Sequence, residues 1–123
     1  YANEIISKFN VMTEGDSSKA SSLSGGNLQK FVIGREILSK PELLIISHPT
    51  WGIDAGATQY IRNELIKLSN QGTSIIIISQ DLDELIQLSN RIAVIYNGEL
   101  SNSLETDSLD IKKIGLLMGG QSE

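Results

Sequence analysis

Two runs of four consecutive apolar residues, Leu43–Ile46 and Ile75–Ile78, constrain the fold of this chain more than any other feature. So short a run, with no polar alternation, marks a strand buried on both faces, as in the centre of a parallel sheet. Between the runs, Ile61, Leu65 and Leu68 recur at helical spacing, and Gly72 stands where a helix in that register should stop. Parallel neighbours need a long crossover, and an amphipathic helix supplies one, so the pattern predicts a βαβ unit. The fold class that follows is α/β with a mainly parallel sheet.

The flanking segments are read in the same way. Asn3 to Phe9 looks like the end of a helical stretch, and Asn10 to Ser24 is polar and rich in Ser and Gly. The latter predicts a loop with a short extended piece around Phe9 to Met12. Leu28, Phe31 and Val32, resumed by Leu38, predict a helix from about Asn27 to Ser39, ended before Pro41. Asp81, followed three residues later by Glu84, resembles a capping arrangement for a short amphipathic helix carrying Leu82, Leu85 and Ile86 and reaching about Ser89. Arg91 to Tyr96 predicts a strand, and Asn97-Gly98 is a two-residue hairpin signal that returns Glu99 to Ser103 antiparallel at a sheet edge. Leu109 to Met118 predicts a final helix that packs its Leu, Ile and Met residues and stops at Gly119-Gly120.

Composition narrows the function. With 123 residues the chain has room for one compact domain or a piece of one, and 40% hydrophobic against 20% charged residues suits a folding chain rather than a disordered one. Ten basic residues against 15 acidic ones leave a net charge of -5, which opposes a nucleic-acid partner, since such binders present basic patches to phosphates. The absence of cysteine excludes a disulfide framework and a thiolate site and fits a reducing cytosol, and a single histidine excludes a multi-histidine metal site. No apolar run approaches the roughly 18 to 20 residues of a membrane-spanning helix, and no leader pattern opens the chain. The sequence begins on Tyr1 and enters at once on a helical stretch, so the expectation is a piece of a longer protein.

The sharpest motif is Leu23-Ser24-Gly25-Gly26-Asn27-Leu28-Gln29-Lys30. Two glycines and a serine immediately before a helix place bare N–H groups and a hydroxyl at its positive end, a geometry that suits phosphate oxygens. The alternative is an ordinary helix start with Ser24 as N-cap.

That octapeptide, followed by a helix, a buried strand, Pro49-Thr50 and the step Gly52-Ile53-Asp54, resembles the signature motif, Walker B strand and D-loop of an ATP-binding cassette ATPase. The likeness continues through Ile75 to Ser79, Gln80-Asp81-Leu82-Asp83-Glu84-Leu85 and Asn90 to Ile95, and so covers nearly the whole chain. The form GlyGlyAsnLeuGlnLys at 25–30, the turn from Pro49 to Asp54 and the tail from Ile114 to Gly120 are most similar to the second nucleotide-binding domain of tandem-domain ATPases that serve nucleoside and simple-sugar importers. No P-loop pattern of the GxxxxGK[ST] type occurs in the chain, so the resemblance implies the C-terminal part of such a domain. It divides as residues 1–40, the end of a helical subdomain with the signature; 41–103, Walker B, D-loop and switch region; and 104–123, a C-terminal helix and tail.

The resemblance implies ATP and Mg²⁺ as the cofactors of the complete transporter, not bound by this piece alone. It implies as partners the other nucleotide-binding domain, membrane permease subunits and, indirectly, an extracytoplasmic substrate-binding protein, with a cytoplasmic location on the inner face of the membrane. In such dimers each ATP lies between the P-loop and Walker B of one domain and the signature of the other. Leu23, Ser24, Gly25, Gly26, Asn27 and Gln29 would then complete the partner's site, and Gly52, Ile53 and Asp54 form the D-loop. Asp54 would cross to the partner or cap the helix beginning near Ala55, two compatible roles; Trp51 would cover an interface or pack.

Departures from the family pattern fall at the opposite site. Where the family places an aspartate for Mg²⁺ and then a glutamate for the attacking water, this chain has Ser47 and His48, and at the switch histidine it has Gln80. A neutral hydroxyl is a weak ligand for a hard cation, and an amide carries no proton charge, so this site is expected to be degenerate. His48 has three readings: a replacement base, since an imidazole accepts a proton near neutral pH; a phosphate contact; or a histidine hydrogen-bonded at a strand end. The acidic cluster Asp81, Asp83 and Glu84 and the pair Lys112-Lys113 are read as solvated surface. Two rival functions stand beside the importer: a non-transport ATPase of the same superfamily, and a catalytically dead structural or regulatory domain.

Overall fold

A computed structural model of the chain describes residues 1–121. The chain divides into two compact units, Tyr1–Gln80 and Asp81–Glu123.

The first unit opens with helix α1 (Ala2–Lys8), followed after a single 3-10 turn at Ala20–Ser22 by α2 (Gly25–Leu38). No extended piece forms around Phe9 to Met12. Instead Asn10 turns left-handed at φ 48° and the Val11 N–H bonds back to the Ile6 carbonyl at 3.0 Å, a Schellman stop that sends the buried Phe9 and Val11 inward. Helices α1 and α2 close on Gly34, where a Cβ would fall 2.5 Å from Phe9 Cδ2 and 2.9 Å from Ile5 Cγ2. Any larger residue there overpacks the helix pair.

The expected βαβ unit is present. Strand β1 (Leu43–Ser47), helix α3 (Ala55–Asn70) and strand β2 (Ser74–Ile78) follow one another, and the two strands pair in parallel with Leu43 opposite Ser74 and Ser47 opposite Ile78. Ile61, Leu65 and Leu68 form the buried stripe of α3, each contributing about 1.5–3 kcal/mol through burial. Tyr60 meets Phe9 edge to face with ring centroids 5.3 Å apart, tying α3 to the end of α1. Gly72, at φ 104°, ends α3 as the pattern predicts: the Gly72 N–H reaches the Ser69 carbonyl and the Thr73 N–H reaches that of Leu68.

The expectation that both strands are buried on two faces is corrected. Leu44 and Ile46 are buried, whereas Leu43 is 53% exposed, Ile45 61%, Ile76 50% and Ile78 52%. An unbroken apolar run records that both faces suit apolar cover, but nothing within the described residues covers the second face of this pair.

In the second unit, α4 (Leu82–Leu88) starts on Asp81, whose Oδ1 accepts the Glu84 N–H at 3.0 Å. The predicted strand Arg91 to Tyr96 is interrupted at Ala93 and Val94. It becomes β3 (Arg91–Ile92), paired antiparallel with β6 (Leu104–Glu105), and β4 (Ile95–Tyr96), paired with β5 (Glu99–Leu100). Asn97 at φ 49° and Gly98 at φ 82° make the tight hairpin turn their sequence predicts. Between the two pairs, Ser101 takes over the ladder, its N–H bonding the Val94 carbonyl at 2.8 Å and its hydroxyl accepting the Val94 N–H at 2.9 Å. After a 3-10 turn at Thr106–Ser108 comes α5 (Ile111–Met118), capped by Asp110 and ended by Gly119 and by Gly120 at φ 78°. Of its apolar residues only Ile114 is fully buried, while Ile111, Leu116 and Met118 are half or more exposed, so the expected packing of the whole apolar set is not what this helix does. The last two residues of the expected 104–123 tail lie outside the described residues.

The acidic cluster also needs correcting. Asp81 and Asp83 are exposed, but Glu84 is buried at 2% exposure. Successive helical positions turn by a hundred degrees, so neighbouring like charges need not share a face.

Candidate functional site

Ser24 has an extended backbone, φ -62° and ψ 156°, and its Oγ accepts from the Asn27 backbone N–H, which makes it the N-cap of α2. The helix therefore begins at Gly25, two residues earlier than the apolar spacing predicts, and both glycines belong to its first turn rather than to a loop. Their N–H groups have no carbonyl one turn back within the helix, and they sit at its positive end. The two glycines differ in surroundings. A Cβ on Gly25 would meet nothing within 4 Å, whereas one on Gly26 would lie 2.8 Å from the Gly52 carbonyl oxygen. Gly26 is required by this chain's own packing, and Gly25 is not.

Asn27 and Gln29 turn their side chains toward their own chain. Asn27 Oδ1 accepts the Met12 N–H at 2.9 Å while its Nδ2 donates to Ser24 Oγ at 2.9 Å. Gln29 Nε2 donates to the His48 carbonyl at 3.1 Å. Lys30, which the sequence does not single out, is buried at 6% exposure and donates from Nζ to the Asn10 carbonyl at 2.7 Å. The available signal was a lysine on the same helical face as the apolar Ile33 and Ile37.

The end of β1 lies against this helix start. Ser47 is the last strand residue, and Ser47 Oγ lies 2.9 Å from His48 Nδ1. His48 is itself left-handed at φ 49°, and its N–H extends the ladder to the Ile78 carbonyl at 2.8 Å. His48 is thus hydrogen-bonded at the strand end through both its ring and its backbone. Gln80 stands exposed two residues beyond the end of β2, so Ser47, His48 and Gln80 all belong to the C-terminal end of the strand pair, where open α/β sheets bind ligands.

The segment between β1 and α3 completes the region. Trp51 is 81% exposed and so does not pack within its chain, Gly52 is left-handed at φ 75°, and Ile53 is half-buried. Asp54 caps α3, its Oδ1 accepting the Ala57 N–H at 2.9 Å. That bond holds the Asp54 carboxyl below the ordinary carboxylate range, and the positive charge of Lys30 acts in the same direction. Leu23, half-buried, closes the 3-10 turn ahead of Ser24.

The structure thus brings the helix start, the strand end and the turn at Gly52 together. Chemically the first offers N–H donors to an anion, and the second offers a hydroxyl, an imidazole and an amide but no carboxylate. Among the described residues no group of three or more His, Cys, Asp or Glu converges as a metal site. The donor set Ser47, His48 and Gln80 does not fit Mg²⁺, because it holds no carboxylate and its one hydroxyl is engaged with His48. No helix among the described residues is long and apolar enough to cross a membrane.

No family model matches the chain. It is 42% identical over 120 residues to a nucleoside import ATP-binding protein of Lactococcus lactis, covering 98% of this chain and 24% of that protein. It is 38% identical over 122 residues to a guanosine import ATP-binding protein of Bacillus subtilis, covering 99% of this chain and 24% of the relative. A glucose import ATP-binding protein of Haloferax volcanii is 40% identical over 122 residues, with 98% and 22% covered. The chain thus spans about a quarter of the length of the curated relatives it matches. Among solved structures, the ATP-binding subunit of an ABC transporter superposes with a TM-score of 0.77 at 20% identity over 99% of this chain and 48% of that one. A dimeric ATP-binding cassette bound to ADP and Pi superposes at 0.73 and 22% identity over 85% of this chain and 45% of the other. Those two likenesses establish the α/β cassette fold.

Proposed function

This chain belongs to the ATP-binding cassette ATPases, and on that premise we propose that it is part of the ATP-hydrolysing subunit of an importer of nucleosides or simple sugars. The relatives, ATP-binding proteins for import of a nucleoside, guanosine and glucose, support the substrate class. In this reading residues 1–40, 41–103 and 104–123 are the signature-bearing helical end, the Walker B, D-loop and switch region, and the C-terminal tail of one nucleotide-binding domain.

The observation that carries the proposal is Gly25. Apart from its chain neighbours and its own helix backbone, nothing among the described residues lies within 4 Å of where its side chain would be, so the packing gives no reason for a glycine there. A bare backbone at the first turn of a helix, with Ser24 exposed beside it, admits the close approach of phosphate oxygens to the orphan N–H groups. We therefore assign Ser24, Gly25 and Gly26 to the ATP site completed with the other nucleotide-binding domain. When bound, ATP with Mg²⁺ supplies the free energy of phosphoryl transfer to the complete subunit. What this chain supplies there is anion binding and orientation. At its own strand end, Ser47, His48 and Gln80 offer neither the carboxylate that supports the metal nor the one that activates water, and this half-site is degenerate.

The partners proposed are the second nucleotide-binding domain and membrane permeases, with an extracytoplasmic binding protein acting through the latter, at the cytoplasmic face of the membrane. The chain alone is expected neither to bind ATP tightly nor to hydrolyse it. A dead regulatory domain is the second reading, favoured by the carboxylate-free strand end and opposed by Gly25.

Steady-state ATPase of the full-length subunit with its permeases decides between them. Ser24→Arg is expected to cost at least about tenfold in turnover, roughly 1.4 kcal/mol of barrier, and His48→Ala to stay within about twofold of wild type. Turnover indifferent to Ser24→Arg would sink the proposal, and a tenfold loss in His48→Ala would restore the histidine as a working group.

A further inference from the structure

The carbonyl of His48 is where three segments meet. Its residue leaves the strand in a left-handed conformation at φ 49°, a cost that a non-glycine residue sustains only when its surroundings fix it. The bonds that fix it are on all sides: the His48 N–H to the Ile78 carbonyl at 2.8 Å, the Trp51 N–H to the His48 carbonyl at 3.2 Å, and Gln29 Nε2 to the same carbonyl at 3.1 Å. Gln29 is half-buried and lies three residues beyond Gly26, on the same face of α2. Gly26 closes on the Gly52 carbonyl oxygen, within 2.8 Å of an added Cβ. Two contacts one helical turn apart fix both the rotation and the height of the helix start against residues 48–52. A single contact would fix neither.

We infer that Gln29 is a positioning residue, which pins the first turn of α2 through the His48 carbonyl, and that residue 48 acts by its main chain rather than its imidazole. The inference rests on the assignment of the helix start to the phosphate end of an ATP site. It makes the donor end and the strand end, which serve different sites, one mechanical piece. Asn27 and Lys30 hold the other side of the same turn through Met12 and Asn10, so the pin sets orientation and is not needed for folding.

The test compares Gln29→Glu, Gln29→Met and His48→Ala in the full-length subunit with its permeases, reading kcat and KM for ATP alongside amide hydrogen exchange over residues 25–28 and 48–52. Glutamate keeps the shape and turns a donor into an acceptor facing a carbonyl, and methionine removes the donor without adding charge. Both are expected to lower kcat about fivefold or more with KM within about twofold, and to speed exchange in the two segments together. His48→Ala, whose carbonyl is intact, is expected to leave the exchange of both segments as in wild type. Wild-type exchange in both Gln29 variants overturns the inference, as does a His48→Ala variant that loosens both segments. If Ser24→Arg keeps full turnover while Gln29→Met still loosens the two segments together, the phosphate-end assignment falls and the pin stands.

Discussion

The start of α2 and the end of β1 touch, yet they are equipped oppositely. At the helix start the first-turn N–H groups have no carbonyl one turn back, and beside them stand an exposed serine, whose hydroxyl accepts from Asn27, and a glycine with open space around it. At the strand end the polar groups are turned on one another, Ser47 on His48 and His48 on Ile78 and Gln29. Open N–H groups beside free space leave room for an outside partner, whereas groups already paired hold shape. The contrast teaches that side chains paired at a strand end can leave the backbone to hold its neighbours, as the His48 carbonyl does for Gln29 and Trp51.

Substitutions at the two adjacent glycines put the contrast under most strain. Gly26→Val drives a branched side chain into the Gly52 carbonyl, only 2.8 Å from the first added carbon, and is expected to cost about 1–3 kcal/mol of stability in chemical denaturation of the full-length protein. Gly25→Ala is expected to be neutral or to stabilise by about 0.5 kcal/mol, since nothing lies within reach and the unfolded chain loses freedom. Its ATP turnover should nevertheless fall. Were the two variants to behave alike in both assays, the division between a ligand-facing and a packing glycine would be lost.

The smallest effect is at Asp54. Its folded carboxyl titrates below the ordinary carboxylate range because the Ala57 N–H stabilises the charged form. The sign follows: the carboxylate adds stability above the unfolded value, and that increment disappears as pH falls through the lowered folded one. Asp54→Asn keeps a capping oxygen and removes the titration, so melting temperatures measured from neutral to acid pH should fall less steeply for the variant than for wild type. Parallel curves would show that the cap does not sense protonation.

Much of this was legible in sequence because it is local. Ser24, Asp54 and Asp81 cap helices as their side chains dictate, Asn97-Gly98 turns, Gly72 stops α3, and the two apolar runs pair in parallel through the helix between them. What was not legible depends on partners distant in sequence. The apolar runs could not say that Leu43 and Ile45 stay exposed, because cover on a sheet face is a property of whatever packs there. Glu84 gave no sign of burial among its acidic neighbours. Nor did Gln29, read as part of the nucleotide-binding signature, or Lys30, which the sequence does not single out, reveal that they reach for carbonyls of residues 48 and 10. The left-handed turns at Asn10 and His48 were hidden for a related reason: these residues tolerate such a backbone without requiring it, and only tertiary bonds select it.

The uncovered face of the strand pair has a consequence for the chain in solution. Leu43, Ile45, Ile76 and Ile78 form one exposed hydrocarbon plate along a two-stranded parallel ladder. Two copies meeting plate to plate would release water from both, while their charge of -5 each drives them apart. Salt screens the repulsion beyond about 8 Å at physiological strength and leaves the plates attractive. The isolated chain is therefore expected to lose solubility as ionic strength rises, a salting-out that begins well below the concentrations at which well-covered domains precipitate.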